Sequence, residues 1–386
     1  MNKYNFIEDE LLNLEKNNLI REIRTFRDTQ STFSNVNNNE ILLFSSSNYL
    51  SLIEDRDIID NAYKEACIYG TGSGGSRLTT GNSILHEKLE TIIAEFIGYE
   101  ESIVFSSGYN TNVGVISAIA DRNTEIFSDE KNHASIIDGC RLSSAKITKY
   151  KHLNMEDLEE KLKNSENIKK IIISDGVFSM DGDILDLKKF VELADKYNAL
   201  SIVDDAHGFG VIGESGKGIT ELYGVKPDIL IGTLSKAVGS EGGFAATDKK
   251  IKKYLQNKSR SYIFSTSLSP FSISASYYAI KKIKENNKLV KALQRNIKYF
   301  TEELNKNKII VNSKSAIIKI PIGNEKSALE ISKKLWDRKI YIPAIRFPAV
   351  DKNKAILRIT IMKNYTKKDM DYVISNLTDI LKEYGI

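Results

Sequence analysis

A single lysine lies among small residues in the stretch GTLSKAVGSEGG, residues 232 to 243. The stretch follows the apolar run DILI, so Lys236 comes just after a predicted buried strand. Lysines usually stay on solvated surfaces because their charge is costly to bury. A lysine in these surroundings can serve instead as an amine nucleophile that forms a Schiff base with an aldehyde. The segment therefore predicts a reactive lysine with room for a ligand beside it.

An acidic residue and a histidine follow another predicted strand, in SIVDDAHGFGVIGESGKG. Taken alone, Asp204 and His207 could be a helix cap and a turn histidine, or two metal ligands that lack a third partner at standard spacing. Together with Lys236, 32 residues downstream, they match what pyridoxal phosphate (PLP) requires. The lysine would form the Schiff base, the carboxylate would keep the pyridine nitrogen protonated, and the imidazole would bond the ring oxygen.

A phosphate site and two ring contacts are predicted at other strand ends. In SSGYNTNVGVISAIA a strand ends and a helix begins, so free backbone N–H groups would face an anion, although a plain strand-to-helix turn is the alternative. This turn comprises Ser106, Ser107, Gly108 and Tyr109. His133 in DEKNHASIIDG, one of four histidines, could stack on the ring and donate to a reacting carbonyl, although a lone histidine is more often structural. Ser179 in SDGVFSMDG could bond the ring oxygen.

The elements that must position these residues alternate between short β-rich runs and helical patterns. Strands are predicted at ESIVFSS, KIIISDG, ALSIVDD and DILIGTL, with helices such as SILHEKLETIIAEFIG and DLKKFVELADKYN between them. The alternation predicts a mostly parallel α/β sheet with helices on both faces and a ligand at the carboxyl ends of the strands. An N-terminal helix and extended arm (1–50), a large domain (51–285) and a smaller C-terminal α+β domain (286–386) are expected.

Composition and charge limit the class of protein. The 386 residues, 41% hydrophobic and 27% charged, suffice for a large core. A net charge of +4 is too small to indicate a nucleic-acid partner, although it suits an anionic small substrate. The N-terminus lacks a signal-peptide pattern, and no apolar run approaches the roughly 18 residues that span a membrane. The sequence therefore predicts a soluble cytoplasmic protein that binds neither nucleic acid nor membrane.

Two further features indicate less. The stretch YGTGSGGS spells GxGxxG with Gly70, Gly72 and Gly75, but helical spacing precedes it where a nicotinamide site needs a strand. We expect a glycine-rich turn where backbones pass closely. Cys67 and Cys140 lie far apart without a CxxC motif, so neither a disulfide nor a zinc site is predicted, and both are expected to be small buried hydrophobes.

Five motifs together resemble the α-oxoamine synthase family of fold-type-I PLP enzymes. They are DGVFSMDGD, DDAHGFGVIGESGKG, GTLSKAVGSEGG, GTGSGGSRLTTGN and YIFSTSLSP. The resemblance extends over essentially the whole chain. It implies the aminotransferase-like fold, with a large mostly parallel sheet domain and a smaller C-terminal α+β domain, and PLP as the cofactor.

The resemblance also implies roles for individual residues. It makes Lys236 the Schiff-base lysine, Asp204 the pyridinium partner and His207 the neighbour of the ring oxygen. It makes His133 the ring-stacking residue and Ser179 a ring contact. The further cofactor contacts that it implies are Ser107, Gly108, Tyr109, Thr233, Ser265 and Thr266. The last two, in SYIFSTSLSP, would reach the phosphate of a neighbouring subunit, which implies a C2 homodimer with shared active sites.

For the substrate, the resemblance makes Arg358 in AILRITI the residue that holds the amino-acid carboxylate, and Arg21 in the N-terminal helix a further contact. The sequence departs from the family pattern at three positions. The segment SSSNYL has Ser47 where an Asn is usual, with Asn48 one place later. The segment AIRFPAV has Ala349 in place of a substrate-binding threonine, and Tyr365 replaces a histidine. These departures bear on the acyl donor and not on the cofactor.

The reaction that the resemblance implies joins an L-amino acid to an acyl thioester of coenzyme A or a carrier protein, with loss of the thiol and CO2. L-alanine and a pimeloyl thioester, as in biotin synthesis, are favoured, and glycine with a short acyl-CoA is the alternative. No metal is expected. Two other classes stay open: a metal-dependent hydrolase using His133, Asp204 and His207, and an inactive regulatory homologue, against which the retained Lys236 argues.

Overall fold

The computed structural model describes residues 3–17, 19–21 and 23–386. The strands are β1 (Phe33–Val36), β2 (Asn39–Leu43), β3 (Glu101–Phe105), β4 (Thr124–Asp129), β5 (Lys146–Tyr150), β6 (Lys169–Asp175), β7 (Ala199–Asp204), β8 (Ile229–Thr233), β9 (Gly243–Thr247), β10 (Ile317–Gly323), β11 (Ile340–Tyr341), β12 (Ala344–Ile345) and β13 (Ala355–Thr360). The helices are α1 (Asn5–Lys16), α2 (Arg56–Tyr69), α3 (Ile84–Ile97), α4 (Gly108–Ile119), α5 (Ala134–Leu142), α6 (Met155–Lys163), α7 (Leu187–Lys196), α8 (Ile219–Tyr223), α9 (Lys249–Lys258), α10 (Arg260–Ile263), α11 (Pro270–Glu285), α12 (Lys288–Lys306), α13 (Glu325–Asp337) and α14 (Lys367–Glu383).

The largest sheet has seven strands in the order β3-β9-β8-β7-β6-β4-β5. Strands β5, β4, β6, β7 and β8 pair in parallel, whereas β9 pairs antiparallel with both β8 and β3. The carboxyl ends of the parallel strands therefore meet at one edge of the sheet. In open α/β sheets this edge is where ligands bind.

Helices cover both faces of this sheet, and strand β6 illustrates why. In KIIISD, Ile172 packs into one buried hydrophobic cluster, whereas Ile171 and Ile173 pack into the other. A strand that is buried on both faces needs apolar side chains at successive positions, which is how this run differs from a half-exposed strand. The uninterrupted apolar run is thus the sequence signal of a central strand.

Two smaller sheets have three strands each, in the orders β10-β13-β12 and β1-β2-β11. In the first, Lys319 of β10 pairs with Arg358 of β13. In the second, β11 from the C-terminal part of the chain pairs with β2 of the N-terminal arm. The two ends of the chain therefore share a sheet, and the division at residues 50 and 285 remains a prediction.

The four predicted strands and both predicted helices of the large sheet are present, and the fold class is confirmed. Three further strands, β4, β5 and β9, were not predicted. Strand β5 has the lysine-rich sequence KITKY and is mostly exposed, and β9 (GFAAT) consists largely of small residues. Neither therefore has the apolar pattern of a buried strand. Across the described ranges, no helix has both the length and the hydrophobicity needed to span a membrane.

The expectation for Cys67 is wrong, because its side chain is exposed, whereas Cys140 is buried as expected. Helix α2 buries Ile58 and Ala62, four residues apart, and Cys67 lies off that stripe. The helix ends at Gly70, which has a φ of +87°. The GxGxxG stretch thus follows a helix and not a strand, as predicted.

Candidate active site

Lys236 lies in the turn after β8 and joins a chain of hydrogen bonds. Its Nζ atom is 3.0 Å from Nε2 of His207. On the other side of the imidazole, Nδ1 of His207 is 2.7 Å from the hydroxyl oxygen of Tyr49. Tyr49 is fully buried and His207 is buried. The structure thus brings the predicted lysine and histidine into direct contact.

The surroundings favour neutral forms of both groups. Burial lowers the pKa of Lys236, although the carboxylates of Asp204 and Asp175 oppose this shift. Burial also lowers the pKa of His207 well below its usual value, and the charges of Lys236 and Arg358 act in the same direction. A lysine with a lowered pKa has more of the unprotonated amine, which is the nucleophilic form.

Asp204 ends β7 and is almost completely buried. One carboxylate oxygen accepts a hydrogen bond from the backbone N–H of Ala206 at 2.9 Å, and the other accepts from Nδ2 of Asn112 at 2.6 Å. Asp175 lies opposite Asp204 on β6. Burial and the charge of Asp204 raise the pKa of Asp175 well above its usual value. This shift favours a neutral carboxyl at Asp175.

His133 caps the N-terminus of α5, beyond the end of β4. Its backbone N–H donates to Asp175 at 2.8 Å. Its Nδ1 accepts from the backbone N–H of Ser135 at 3.3 Å and is 2.8 Å from the Ser135 hydroxyl. Partial burial lowers the pKa of His133, Lys236 contributes in the same direction, and Asp204 opposes both. The side chain of His133 remains exposed overall, so the ring is accessible to a ligand.

The predicted phosphate turn lies where α4 begins. Ser107 caps the helix, and its hydroxyl accepts from the backbone N–H of Asn110 at 3.1 Å. A Cβ atom on Gly108 would lie 3.2 Å from the Thr233 side chain, and one on Gly243 would lie 2.6 Å from the Gly108 nitrogen. Small residues are therefore required for β8 and β9 to approach the start of α4 this closely. Free N–H groups at a helix start are suited to bind a phosphate.

Tyr109, beside this turn, is exposed, and its hydroxyl donates to the carboxylate of Asp138. Arg358 comes from β13 of a smaller sheet and is 9% exposed. Its Nε donates to the backbone carbonyl of Ser179 at 2.6 Å. Its charge acts on the pKa values of Lys236 and His207, so it belongs to the same cluster. The role predicted for the Ser179 side chain stays a prediction, because the contact seen here uses the backbone carbonyl.

Two predicted substrate contacts, Arg21 and Ala349, line a separate cleft of about 680 Å³. Its N-terminal wall consists of Glu15, Leu19, Ile20, Arg21 and Arg24, and its other wall of residues between 329 and 349. Because of the role predicted for Arg21, we call it the substrate cleft. Arg21 and Ala349 are both exposed there. Arg21 lies beyond the end of α1 at Lys16, so its predicted position within the helix is wrong. Lys236 does not line the substrate cleft.

The remaining predicted residues have these positions. Ser265 and Thr266 line a cavity of about 20 Å³ together with Ser106 of the same chain, so their proposed reach into a neighbouring subunit stays a prediction. Ser47 is half-buried, and its side chain bonds to Tyr49. The Oδ1 atom of Asn48 accepts a hydrogen bond from the backbone N–H of Leu52 at 3.0 Å, so this side chain has a structural role. Tyr365 stacks on Phe44 at 4.1 Å between ring centroids and belongs to the core.

Sequence reasoning missed Asn112, Ser135, Tyr49 and Asp175. One signal for Asn112 was available, because it shares a helix face with Val115 and Ile116, three and four residues later. A polar residue on such a face is buried and must find hydrogen-bonding partners. Asp175 ends β6 after an apolar run, as Asp204 ends β7, so a signal for it was also available. The spacing of Tyr49 gives no comparable signal.

The metal alternative is not favoured by this geometry. Asp204 is satisfied by two N–H donors, and His207 contacts the Lys236 amine, which would compete with a cation. In the described ranges, the ligand atoms that lie close enough to share an ion belong instead to His152, Asp181 and Asp183. Both ring nitrogens of His152 already have carboxylate partners, with Nδ1 at 3.0 Å from Asp129 and Nε2 at 3.3 Å from Asp183.

The donor set at the sheet edge fits PLP. It combines a lysine amine of lowered pKa, a buried carboxylate, an accessible imidazole and a helix start bounded by glycines. Each suits a different part of the cofactor: the aldehyde, the ring nitrogen, the ring face and the phosphate.

Comparisons with known proteins agree with this fit. Residues 39–377 match the family described as aminotransferase class I and II. The chain is 46% identical over 381 residues to the 8-amino-7-oxononanoate synthase of Lysinibacillus sphaericus, and the alignment covers 98% of each of the two chains. It is also similar to a solved structure of SPT with its PLP internal aldimine, with a TM-score of 0.93, 28% identity and coverage of 99% of this chain and 98% of that one.

A second solved structure, of the 8-amino-7-oxononanoate synthase from Francisella tularensis, has a TM-score of 0.78 at 30% identity and covers 90% of this chain and 99% of its own. The family match extends over most of the chain, and the sequence relative extends over nearly all of it. The chain therefore belongs to the aminotransferase class I and II family and is a PLP-dependent acyltransferase of the α-oxoamine synthase group.

Proposed function

We propose that this chain condenses L-alanine with a pimeloyl thioester to give 8-amino-7-oxononanoate, the free thiol and CO2, a step of biotin biosynthesis. The observation that carries the reaction type is the placement of Asp204 and Arg358 near Lys236: β7, which Asp204 ends, pairs in parallel with β8, which Lys236 follows, and the charges of Asp204 and Arg358 both act on the pKa of Lys236. The choice of substrates is supported by the relative of that name, 46% identical along the whole chain. The acyl carrier can be coenzyme A or a carrier protein.

PLP, when bound, supplies an electron sink for the α-carbon of an amino acid. Lys236 would hold it covalently through Nζ, and Asp204 would keep its ring nitrogen protonated by placing a negative charge beside it. His133 would lie against the ring, with His207 at the ring oxygen. The phosphate would be held by the turn that Ser107, Gly108, Tyr109 and Thr233 form.

The remaining work falls to side chains of this protein. Arg358 carries a planar guanidinium that binds a carboxylate through two parallel hydrogen bonds, so it would orient a free α-amino acid. Once the amino group of the substrate has replaced Lys236 at the cofactor aldehyde, the freed amine, whose pKa is lowered by burial, would take the α-proton at Nζ and return a proton later. His133 would donate a hydrogen bond to the thioester carbonyl oxygen as charge develops there.

The identity of the amino-acid substrate is the part of the proposal for which a specific alternative exists, namely serine. Solved structures of SPT, among them the serine palmitoyltransferase of Sphingomonas wittichii, share the fold with TM-scores of 0.93. Ser47, whose side chain bonds to Tyr49, is smaller than the asparagine usual in the family, which would leave room for the methyl group of alanine. A methyl group is worth only about 1–3 kcal/mol in an apolar pocket, so some turnover of glycine is expected.

The test is the release of thiol from pimeloyl-CoA, acetyl-CoA and palmitoyl-CoA, each with alanine, glycine or serine. We expect the highest kcat/KM for alanine with pimeloyl-CoA. A Lys236→Ala variant is the blank for non-enzymatic hydrolysis. Preference for serine with palmitoyl-CoA, or for glycine with acetyl-CoA, would overturn the choice of substrates and leave the family assignment intact.

We further propose that two copies form a C2 homodimer with shared sites. Phe264 and Leu78 are 73% and 54% exposed. Their loops lie side by side because Ser76 and Thr266 form a backbone bridge. Large apolar side chains exposed in adjacent loops are typical of an interface, and Thr266 is among the residues predicted to contact phosphate.

A charged substitution tests the dimer. Phe264→Glu should give a monomer in sedimentation and lose activity. The matched control is Ile168→Glu, because Ile168 is 91% exposed just before β6, at the opposite end of that strand from the site. A wild-type protein that is monomeric and fully active would contradict the proposal.

A further inference from the structure

Asn112 connects two of the groups that surround the proposed cofactor. It lies in α4 and is 1% exposed. Its Nδ2 is 2.6 Å from Oδ2 of Asp204 and 2.9 Å from the hydroxyl oxygen of Ser135. An amide nitrogen carries two hydrogens, so it can donate one to each. A single side chain therefore touches the carboxylate and the first turn of α5.

The orientation of this amide is fixed by Asp204. A carboxylate only accepts hydrogen bonds, so the NH2 group of Asn112, and not its carbonyl oxygen, must face it. The carbonyl oxygen Oδ1 is buried and has no hydrogen-bond partner within the described part of the chain. Leaving a buried acceptor unpaired is unfavourable. The contacts of Nδ2 with Asp204 and Ser135 therefore determine the orientation of the amide group, although Oδ1 is left without a partner.

The consequence reaches His133 through Ser135. Because the Ser135 hydroxyl oxygen accepts from Asn112, its own hydrogen is free for another acceptor. Nδ1 of His133 lies 2.8 Å away. The backbone N–H of Ser135, which can only donate, points at the same Nδ1 from 3.3 Å. Two donors converge on Nδ1, so this nitrogen must be an acceptor and the neutral ring carries its hydrogen on Nε2.

We propose that Asn112 is a positioning residue that orients Asp204 and, through Ser135, holds His133 as its neutral Nε2–H tautomer. The hydrogen on Nε2 is then free to donate to a carbonyl oxygen of the substrate. The use made of that hydrogen rests on the proposed function. The tautomer itself does not, because it follows from contacts within the chain.

Nitrogen-15 NMR of the full-length protein, selectively labelled at histidine, tests the tautomer directly. The chain has four histidines, and the His133 signals are identified by their absence from a His133→Gln variant. In the wild type we expect a pyridine-type shift for Nδ1 and a pyrrole-type shift for Nε2, with and without PLP. Reversed shifts, or the shifts of a doubly protonated ring at neutral pH, would overturn the proposal whatever reaction the enzyme catalyses.

Variants test the role of Asn112. Asn112→Leu keeps the volume of the side chain and removes the amide, and Ser135→Ala removes the hydroxyl. Both should move the two His133 shifts toward averaged values, and Ser135→Thr should restore the wild-type pattern. The kcat of Asn112→Leu should fall by about 10²-fold, with the KM for alanine unchanged.

The matched control is Asn296→Leu. The Nδ2 atom of Asn296 lies 3.0–3.1 Å from three backbone carbonyl oxygens, those of Met362, Lys363 and Tyr365, which share its two hydrogens. Its loss should lower stability without moving the His133 shifts. Unchanged His133 shifts in both Asn112→Leu and Ser135→Ala would overturn the role of Asn112. If Asn112→Leu does not fold, Ser135→Ala and Ser135→Thr still decide the matter.

Discussion

Asp204 and Arg21, two residues assigned to the same reaction, lie in very different surroundings. Asp204 is 5% exposed, and both of its carboxylate oxygens accept hydrogen bonds shorter than 3.0 Å. Arg21 is exposed in a cleft of about 680 Å³. Near it, Arg346 donates to the backbone carbonyl of Ile20 at 3.1 Å, and the guanidinium of Arg24 lies 4.1 Å from the Trp336 ring.

The difference indicates how the work of the site is divided. At the sheet edge, each side chain is held by a buried neighbour that is itself held, so geometry is fixed before a ligand arrives. The substrate cleft is bounded by exposed and half-buried side chains from the two ends of the chain. We propose that the chemistry common to the family depends on the first arrangement, and that the choice of acyl chain varies through the second. Substitutions should therefore have large effects at the sheet edge and small ones in the substrate cleft.

The largest effect is expected for Asp204→Asn. A neutral amide cannot keep the ring nitrogen protonated, so kcat should fall by about 10²-fold or more, as when an electrostatic group is removed from an active site. PLP should still bind, which absorbance of the purified variant would report. Asp121→Asn, at an exposed ion pair with Lys169, is the control and should retain full activity. A near-normal kcat in Asp204→Asn would contradict the expectation that substitutions at the buried sheet edge have larger effects than substitutions in the substrate cleft.

A second large effect is expected for Arg358→Gln. Hydrogen bonds to a charged group are worth about 1.5–3 kcal/mol, so the KM for the amino acid should rise roughly 10- to 100-fold. Arg358→Lys should recover only part of this loss, because an ammonium cannot bind both carboxylate oxygens in a fork. Arg338→Lys serves as the control, since Arg338 bonds to Asn376 within the C-terminal part of the chain. An unchanged KM would place the carboxylate elsewhere.

A third prediction concerns stability at the sheet edge. The pKa of His152 is raised from 6.5 to about 9 by its bonds to Asp129 and Asp183, against burial. A raised pKa means that the folded protein binds the proton more tightly, so the stabilisation is complete below pH 6.5 and is lost as pH rises through 9. The free energy of unfolding should fall by roughly 2–3 kcal/mol over this range.

Urea unfolding at pH 6.5 and pH 9.5 measures this loss. His152→Gln should remove most of the pH dependence, whereas Lys169→Gln, at the exposed pair with Asp121, should leave it as in the wild type. A wild-type stability that is flat or rises between the two pH values would contradict the assigned protonation state of His152.

The smallest effect is expected for Ala349→Thr, which restores the residue usual in the family. Ala349 is exposed in the substrate cleft, and substitutions of surface residues typically change the free energy of unfolding by no more than about 0.5 kcal/mol. The kcat/KM for pimeloyl-CoA should likewise change only a few-fold. A loss comparable with that of Asp204→Asn would mean that the cleft is as tightly organised as the sheet edge, and the comparison would fail.

The same contrast explains what the sequence could predict. The ends of strands can be recognised in the sequence because apolar runs stop there. Lys236, Asp204 and His207 could therefore be identified as candidate site residues from this pattern, and their roles were then inferred from the resemblance. Their supporting residues could not be found in this way. Tyr49 and Asn112 contact residues 158 and 92 positions away along the chain. The helix face of Asn112 indicates that it is buried, but no local pattern indicates which residue it contacts.

Predictions at the periphery were less accurate for a related reason. Cys67 was expected to be buried from its residue type alone, but the stripe formed by Ile58 and Ala62 decides which face of α2 is covered. Arg21 was expected in a helix that ends at Lys16. Strand β5, an exposed edge, lacks the apolar pattern by which strands are recognised. Where burial does not constrain the sequence, the pattern carries little information about structure.

The central claim is that Lys236 holds the cofactor at the buried sheet edge, and reductive trapping tests it most directly. Purified protein is loaded with PLP, treated with borohydride and digested, and the peptides are analysed by mass spectrometry. The predicted result is the reduced cofactor attached to the peptide that contains Lys236, and its loss in Lys236→Ala. Attachment to another lysine as the main product, or protein that remains colourless and unlabelled with excess PLP, would contradict the account.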